Sequence, residues 1–346
     1  MKKEGVNQLF NTLENKISVI IPVRNEADNI ARCLDSLSNQ NYNKANFEVI
    51  IIDDHSTDNT SEIVINYFKN SELNSRFYQL ENTYTKKEGL KCGIEKSNYN
   101  IISSTDADCI LPSNWLFNIS IQINKKADMI LGPVIFKEKP GFLSAFQQLD
   151  MLAIQSIEFG MLSYKKPILN NAANLTYLKE KFYVVNGFDQ YNTPSGDDVF
   201  LLEKFKKHNK NVLGSLKEDF IVLTNQETSF SSFINQRLRW SSKAKYYSNS
   251  WLLFISTIVL IQNISLIFIY IGILFVEKYW IILLILLFCK WLIDFILLFL
   301  AASFFKRKKV LYYFIPVQVV YPIYLLFVWI TSIMITFEWK GRNYNG

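Results

Sequence analysis

Asp106 and Asp108 stand one residue apart at the end of the run Ile101-Ile102-Ser103-Ser104-Thr105. Alternate residues of an extended chain share a side, so both carboxylates leave the end of such a strand together and can approach one ion. Two close carboxylates repel unless something positive sits between them. A hard divalent cation that completes its shell with substrate phosphates satisfies such a pair in phosphate chemistry. Taken alone, Asp-x-Asp after a strand is also the pattern of a solvated turn or a helix cap. Other residues could join the chemistry. Asp54 closes a second apolar run within Asp53-Asp54-His55-Ser56-Thr57-Asp58, and Asp197 and Asp198 offer a second carboxylate pair in Ser195-Gly196-Asp197-Asp198. Lys86-Lys87-Glu88-Gly89-Leu90-Lys91 opens a helix whose positive end suits a phosphate or simply faces water. Arg237, Arg239, Lys243 and Lys245 beside Trp240 and Tyr246 have the composition of a membrane-interface flank.

The elements that must position these residues follow from hydrophobic spacing. Ile17 to Val23 and Phe47 to Ile52 are apolar runs of strand length, each followed by a polar loop and then by helical spacing: Ala27, Ile30, Leu34 and Leu37 after the first, Ile63, Tyr67 and Phe68 after the second. Unalternated apolar strands between helices predict a parallel α/β sheet, in which ligands bind at the carboxyl ends of the strands. Asp54, Asp106 and Asp108 all fall at such ends. Asp128 to Pro133 predicts another strand. Phe142, Phe146, Leu149, Ala153, Ile157 and Gly160 mark one face of a helix that carries Gln147, Asp150 and Gln155 on the other; core and membrane surface are both open to it.

Composition changes near Ser250. Before it charged and apolar residues mix; after it Ile, Leu, Phe, Val and Tyr dominate. The expected division is a tail over 1–16, an α/β domain with interface helices over 17–249, and a membrane region over 250–346 with spans near 251–276, 279–305 and 310–337. Each span, as a helix, is roughly 40 Å long, enough to cross a hydrocarbon core of about 30 Å with tilt. Lys290 and Asp294, four apart within the second span, are expected to neutralise each other, and Pro316 and Pro322 to kink the third. The net charge of +6 is partly local, in Lys306-Arg307-Lys308-Lys309 between two spans. That placement fits membrane lipids as partners, and no basic stripe with interleaved aromatics points to nucleic acid. Cys33, Cys92, Cys109 and Cys289 have no zinc spacing and read as reduced packing residues, which suits a cytoplasmic domain. Lys2 and Lys3 have no apolar run behind them, so no signal peptide is expected.

Together these motifs resemble the inverting glycosyltransferases of family 2, the membrane-anchored kind that includes polysaccharide synthases. The resemblance rests on Ser18-Val19-Ile20-Ile21-Pro22-Val23-Arg24-Asn25-Glu26, Ile51-Ile52-Asp53-Asp54-His55-Ser56-Thr57-Asp58, Lys87-Glu88-Gly89-Leu90, Thr105-Asp106-Ala107-Asp108, Gly196-Asp197-Asp198 and Gln236-Arg237-Leu238-Arg239-Trp240, in that order. It implies a GT-A fold followed by transmembrane helices. Pro22, Arg24, Glu26, Asp54, Lys87 and Asp106 would hold a nucleotide-sugar donor, UDP-linked, while Asp106 and Asp108 would bind Mg²⁺ or Mn²⁺ on its diphosphate. Asp198 would be the general base, with Asp197 beside it, and Gln236, Arg239 and Trp240 would close over donor and acceptor. Two departures stand out: Asp197 replaces a common Glu, and His55 a common Gly.

Inverting transfer needs an acceptor hydroxyl that attacks opposite the leaving diphosphate, a carboxylate to take its proton, and cations to stabilise the charge that grows on the leaving group. Arg239 can supply one such cation, and Trp240 a flat face for a sugar or an interface anchor. The expected activity is sugar transfer to a lipid-linked or growing glycan acceptor at a bacterial inner membrane, by single transfers because three spans are few to enclose a polymer channel. The alternatives are a processive polysaccharide synthase, a nucleotidyltransferase, which would need a Gly-rich basic loop where Pro22-Val23-Arg24-Asn25 stands, and a non-catalytic scaffold.

Overall fold

The structure, a computed structural model, describes residues 15–81, 85–189, 196–334, 337–339 and 342–344. Most of the expected tail, and Ser195 of the second carboxylate element, lie outside the described residues. In chain order the principal elements are β1 (Ile17–Val23), α1 (Ile30–Ser38), β2 (Phe47–Asp53), α2 (Thr60–Lys69), β3 (Ser75–Gln79), α3 (Lys86–Lys96), β4 (Ile101–Ser104), α4 (Trp115–Asn124), β5 (Met129–Leu131) and α5 (Phe142–Ser163). They continue with β6 (Leu175–Leu178), α6 (Lys179–Val184), β7 (Val212–Gly214), α7 (Asp197–Lys207, preceding β7), α8 (Phe230–Ser241), α9 (Ser250–Phe275), α10 (Trp280–Phe304) and α11 (Phe314–Met334). The chain forms two compact units: Met1–Ile135 with Leu162–Asn225, and Phe136–Met161 with Gln226–Gly346.

The first unit is built on a seven-stranded sheet ordered β3-β2-β1-β4-β6-β5-β7. β3, β2, β1 and β4 run parallel, as the apolar runs require; β6 is antiparallel to both β4 and β5, and β5 is parallel to β7. β1 and β2 are covered on both faces, with Val19, Ile20, Ile50 and Ile51 fully buried. From β1 the chain pairs outward to β2 on one side and β4 on the other, so the sheet reverses its order there. The crevice outside the carboxyl ends at such a reversal is where open α/β sheets bind ligands. Pro22 lies past the last β1–β4 pair, Ile20 with Ser104, so its missing N–H leaves that ladder intact.

α3 lies unusually close to the sheet because it carries glycine where it crosses β1. A Cβ on Gly93 would fall 2.4 Å from Ile20 Cγ2, and one on Gly89 3.3 Å from Pro22 Cβ. The Thr85 hydroxyl caps the helix by accepting from the Glu88 amide at 3.1 Å. Lys86 and Lys87, its first two residues, are thereby fixed at the carboxyl end of the sheet.

In the second unit, three helices are long and apolar enough to cross a membrane: Ser250–Phe275, Glu277–Phe304 and Lys308–Ser332. Lys290 and Asp294 form the expected ion pair, and Pro322 lies inside α11. α5 and α8 belong to this unit through most of their length. Both faces of α5 are covered: Gln147, Asp150 and Gln155 are as buried as Phe146 and Leu149. Gln147 explains how, since its amide nitrogen donates to Glu227 O at 3.0 Å while its oxygen accepts from the Glu227 amide at 3.0 Å.

Candidate active site

The loops after β1 and β2 are laced together. Arg24 donates to the carbonyl of Asp54 at 2.7 Å, and its guanidinium lies 3.9 Å from the buried Asp54 carboxylate, which also meets His55 Nδ1 at 3.3 Å. Asn25 accepts from the Thr57 amide at 2.8 Å, and the Glu26 amide donates to Thr60 Oγ1 at 2.8 Å. The Asp53 carboxylate turns inward, taking Ser56 Oγ at 2.5 Å and Ser61 Oγ at 2.8 Å. His55 has a φ of 57°, the left-handed region glycine favours. Histidine is among the residues that tolerate this conformation more readily than most, so the turn survives the replacement.

Asp106 and Asp108 follow β4 in a turn, closed by the Cys109 amide donating to the Asp106 carbonyl at 3.1 Å, and their carboxylates are held differently. Asp106 is ion-paired with Lys86. Asp108 accepts from Thr224 Oγ1 at 2.8 Å and from the Asn225 amide at 3.1 Å, which fixes its carboxylate from a segment more than a hundred residues away. Lys87 is half-buried and has its pKa lowered, by burial first and then by Lys91. Cys109 is fully buried; burial and then the charges of Asp108 and Asp106 push its thiol well up, so it is a packing group here.

Asp197 and Asp198 open α7 behind Gly196, whose φ is 102°. Asp198 accepts from its neighbour's amide, Val199 N, at 2.9 Å and from Ala172 N at 3.3 Å, while its carbonyl accepts from the Asn170 side chain at 3.2 Å. Lys86, paired with Asp106, also feels the charges of the second pair. Burial opposes the charge on its ammonium, but Asp106, Asp197 and Asp198 together outweigh that and raise its pKa. A single cation thus lies within electrostatic reach of both pairs.

Gln236, Arg239 and Trp240 lie on α8 in the second unit, all half-buried. Gln236 donates to Glu227 at 3.0 Å. Arg237 departs from the expected interface flank: it is buried, paired with Asp150 at 2.8 Å, and stacked over the Trp240 ring at 4.1 Å from its centroid. Lys-like snorkelling to headgroups is therefore not its role, because the carboxylate that neutralises it comes from α5.

Residues 18–188 match the family model described as Glycosyl transferase family 2. Glycosyltransferase AglE of Haloferax volcanii is 34% identical over 133 residues, covering 37% of this chain and 42% of that protein. Residues 18–188 form a glycosyl transferase family 2 domain. A Methanococcus voltae relative, dolichyl N-acetyl-alpha-D-glucosaminyl phosphate 3-beta-D-2,3-diacetamido-2,3-dideoxy-beta-D-glucuronosyltransferase, is 27% identical over 286 residues, covering 74% of this chain and 84% of the other. The match spans less than half the length of the Haloferax protein. Among solved structures, mannosyltransferase PcManGT from Pyrobaculum calidifontis in complex with GDP-Man and Mn²⁺ aligns with a TM-score of 0.52 at 17% identity, covering 85% of this chain and 88% of that one. The fold is GT-A.

Enzymes of this family and fold commonly use divalent metals, and the donor set of this transferase fits one. Among the described residues no cluster of three or more His, Cys, Asp or Glu could hold an ion unaided. A pair of carboxylates is what a hard cation needs when phosphates supply much of the remaining shell. Four supporting residues carried no signal in the sequence. Lys86 was one of several lysines at a helix start, Thr224 and Asn225 are ordinary strand-end residues, and Asn170 stood in an undifferentiated polar loop. Only tertiary pairing reveals them.

Proposed function

We propose that this glycosyltransferase moves a sugar from a nucleotide-diphosphate donor, UDP-linked, to a lipid-linked or growing glycan acceptor at a membrane, one sugar at a time. The observation that carries the reading is the Lys86–Asp106 ion pair just past the end of β4, at the carboxyl end of the parallel strands. The metal and the acceptor proton each call for a carboxylate and the leaving diphosphate for a cation, and Asp106, Asp198 and Lys86 are groups of those types.

In this reading Pro22, Arg24, Glu26 and Asp54 line the nucleoside end, and Lys87 faces the diphosphate. Asp106 and Asp108 would hold Mg²⁺ or Mn²⁺, which when bound supplies positive charge to the leaving diphosphate. Asp198 takes the acceptor proton; its two hydrogen bonds, from Val199 N and Ala172 N, orient the carboxylate for that task. Gln236, Arg239 and Trp240 act on bound donor and acceptor, Arg239 through its charge. The Methanococcus relative, whose name specifies a dolichyl-phosphate-linked sugar, supports a lipid-linked acceptor. The three apolar helices support a multi-pass membrane protein, and the basic run Lys306-Arg307-Lys308-Lys309 supports a catalytic unit on the cytoplasmic side.

Purified protein in detergent, incubated with a panel of nucleotide sugars, Mg²⁺ or Mn²⁺ and a membrane lipid extract, tests the proposal. Release of UDP accompanied by a glycosylated lipid product is expected. Release from a GDP-linked donor alone would overturn the UDP-linked donor, and product formed only on soluble glycan would remove the lipid-linked acceptor.

A further inference from the structure

Lys86 is the first residue of α3, and its ammonium is seated on Asp106, the leading carboxylate of Asp-x-Asp. Lys86 is outside the residues to which the resemblance gives a role at donor or metal. Nearby Lys91 is differently occupied, 3.1 Å from Asp189 and 3.6 Å from Glu88. Lys86 thus stands where a divalent cation would approach Asp106, with Asp197 and Asp198 also within reach of its charge.

We propose that Lys86 is a built-in counter-ion that guards Asp106, so that a divalent cation binds well only together with a nucleotide diphosphate. The inference rests on the proposed metal role of Asp106 and Asp108. A metal ion arriving alone must displace the ammonium and leave two cations beside each other in a partly buried crevice. A metal ion arriving with a diphosphate brings the negative charge that gives the displaced ammonium a new partner. Lys86 then passes from carboxylate to phosphate, and each ligand favours the other. Such a coupling is reciprocal and typically amounts to roughly 5- to 150-fold in affinity. One consequence is that the enzyme does not accumulate metal at an empty site.

Direct Mn²⁺ binding to the purified full chain, read from the electron paramagnetic resonance of free Mn²⁺, tests this without any turnover. The probes are Mn²⁺ alone and Mn²⁺ with UDP, GDP or dTDP. Wild type should bind Mn²⁺ weakly alone and more tightly with at least one nucleotide. Lys86→Met should tighten nucleotide-free binding by roughly 5-fold or more and shrink the gain from nucleotide, while Lys86→Arg, which keeps the cation, should resemble wild type. If Mn²⁺ binds with nucleotide but Lys86→Met leaves nucleotide-free affinity unchanged, the guard is refuted and the metal reading stands. Loss of Mn²⁺ in Lys86→Met under both conditions, with Lys86→Arg intact, would make Lys86 a structural support and refute it equally. No Mn²⁺ binding to wild type with any nucleotide would remove the metal reading itself, and the guard with it.

Discussion

Asp198 and Arg239 are given different work, and the difference can be measured. A general base acts on the acceptor proton in the transition state, so Asp198→Asn should lower kcat by about 10² to 10⁴ while donor affinity barely changes. Arg239→Ala removes a cation that serves both the bound donor and the leaving group, so affinity and rate should fall together. If Asp198→Asn weakened donor binding while transfer at saturating donor survived, Asp197 would become the base. Asp108→Asn keeps an oxygen for Thr224 and Asn225 but loses a hard anionic ligand, and donor binding should then lose most of its dependence on divalent cation. Titrating UDP against the variant with and without Mn²⁺ checks this; an unchanged metal dependence would return the pair to a solvated strand end. Asp54, Asp106 and Asp108 were legible because an apolar run that stops at a carboxylate marks a strand end. Lys86 was not, because a helix that begins with two lysines does not say which of them turns to a carboxylate twenty residues on.

At the scale of elements, the long parallel strands declared themselves and the short antiparallel one did not. β6 has four residues, Leu175–Leu178, too few to show a period, and it sits among polar loops. α5 stays ambiguous in the sequence for a different reason: a polar face next to an apolar one fits a core and a membrane surface alike until its partners are known. The partners of Gln147 and Asp150 lie 80 residues or more along the chain. The Asp150 carboxylate takes Arg237 of α8 at 2.8 Å and the hydroxyl of Tyr321 of α11 at 2.9 Å, and Phe146, Phe233 and Tyr324 pack around them with centroids 4.9 to 5.8 Å apart. Both members of the ion pair are about 5% exposed, so removing either leaves a buried charge without its partner. Arg237→Met or Asp150→Leu alone should therefore destabilise the second unit by about 3–5 kcal/mol, whereas the double replacement should recover most of that loss. Thermal unfolding of the four proteins in one detergent measures it. Single changes as mild as surface substitutions would show that the pair is solvated. Because Arg237 also stacks on Trp240, the single variant should disturb the Gln236-Arg237-Leu238-Arg239-Trp240 element as well, with loss of transfer beyond the loss of folded protein.

For the whole molecule, the break in composition at Ser250 was plain, since a bilayer demands a continuous apolar stretch and no soluble core does. The structure adds what the stretch looks like from outside: Phe254, Ile261, Phe268, Leu274, Ile281 and Phe288 are all exposed, which a water-facing surface does not tolerate in such number. The same surface in lipid is unremarkable, and the backbone hydrogen bonds are closed within each helix as lipid requires. The number of crossings then fixes sidedness once one loop is placed. Lys306-Arg307-Lys308-Lys309 follows the second span, and the positive-inside bias predicts that it lies in the cytoplasm with Glu277 and Lys278 outside. A cysteine introduced at Glu277 should react with a membrane-impermeant maleimide in intact cells, and one at Lys308 only after lysis, in a background with Cys289 changed to serine. Cys33, Cys92 and Cys109 should stay unlabelled in intact cells, since the catalytic unit precedes the first span and shares the cytoplasmic side with Lys308. Labelling at Lys308 but not Glu277 in intact cells would invert the protein and place its donor site outside, where nucleotide sugars are not made; labelling at both would mean that α10 does not cross. Either result would break the link between three apolar helices and a cytoplasmic transferase.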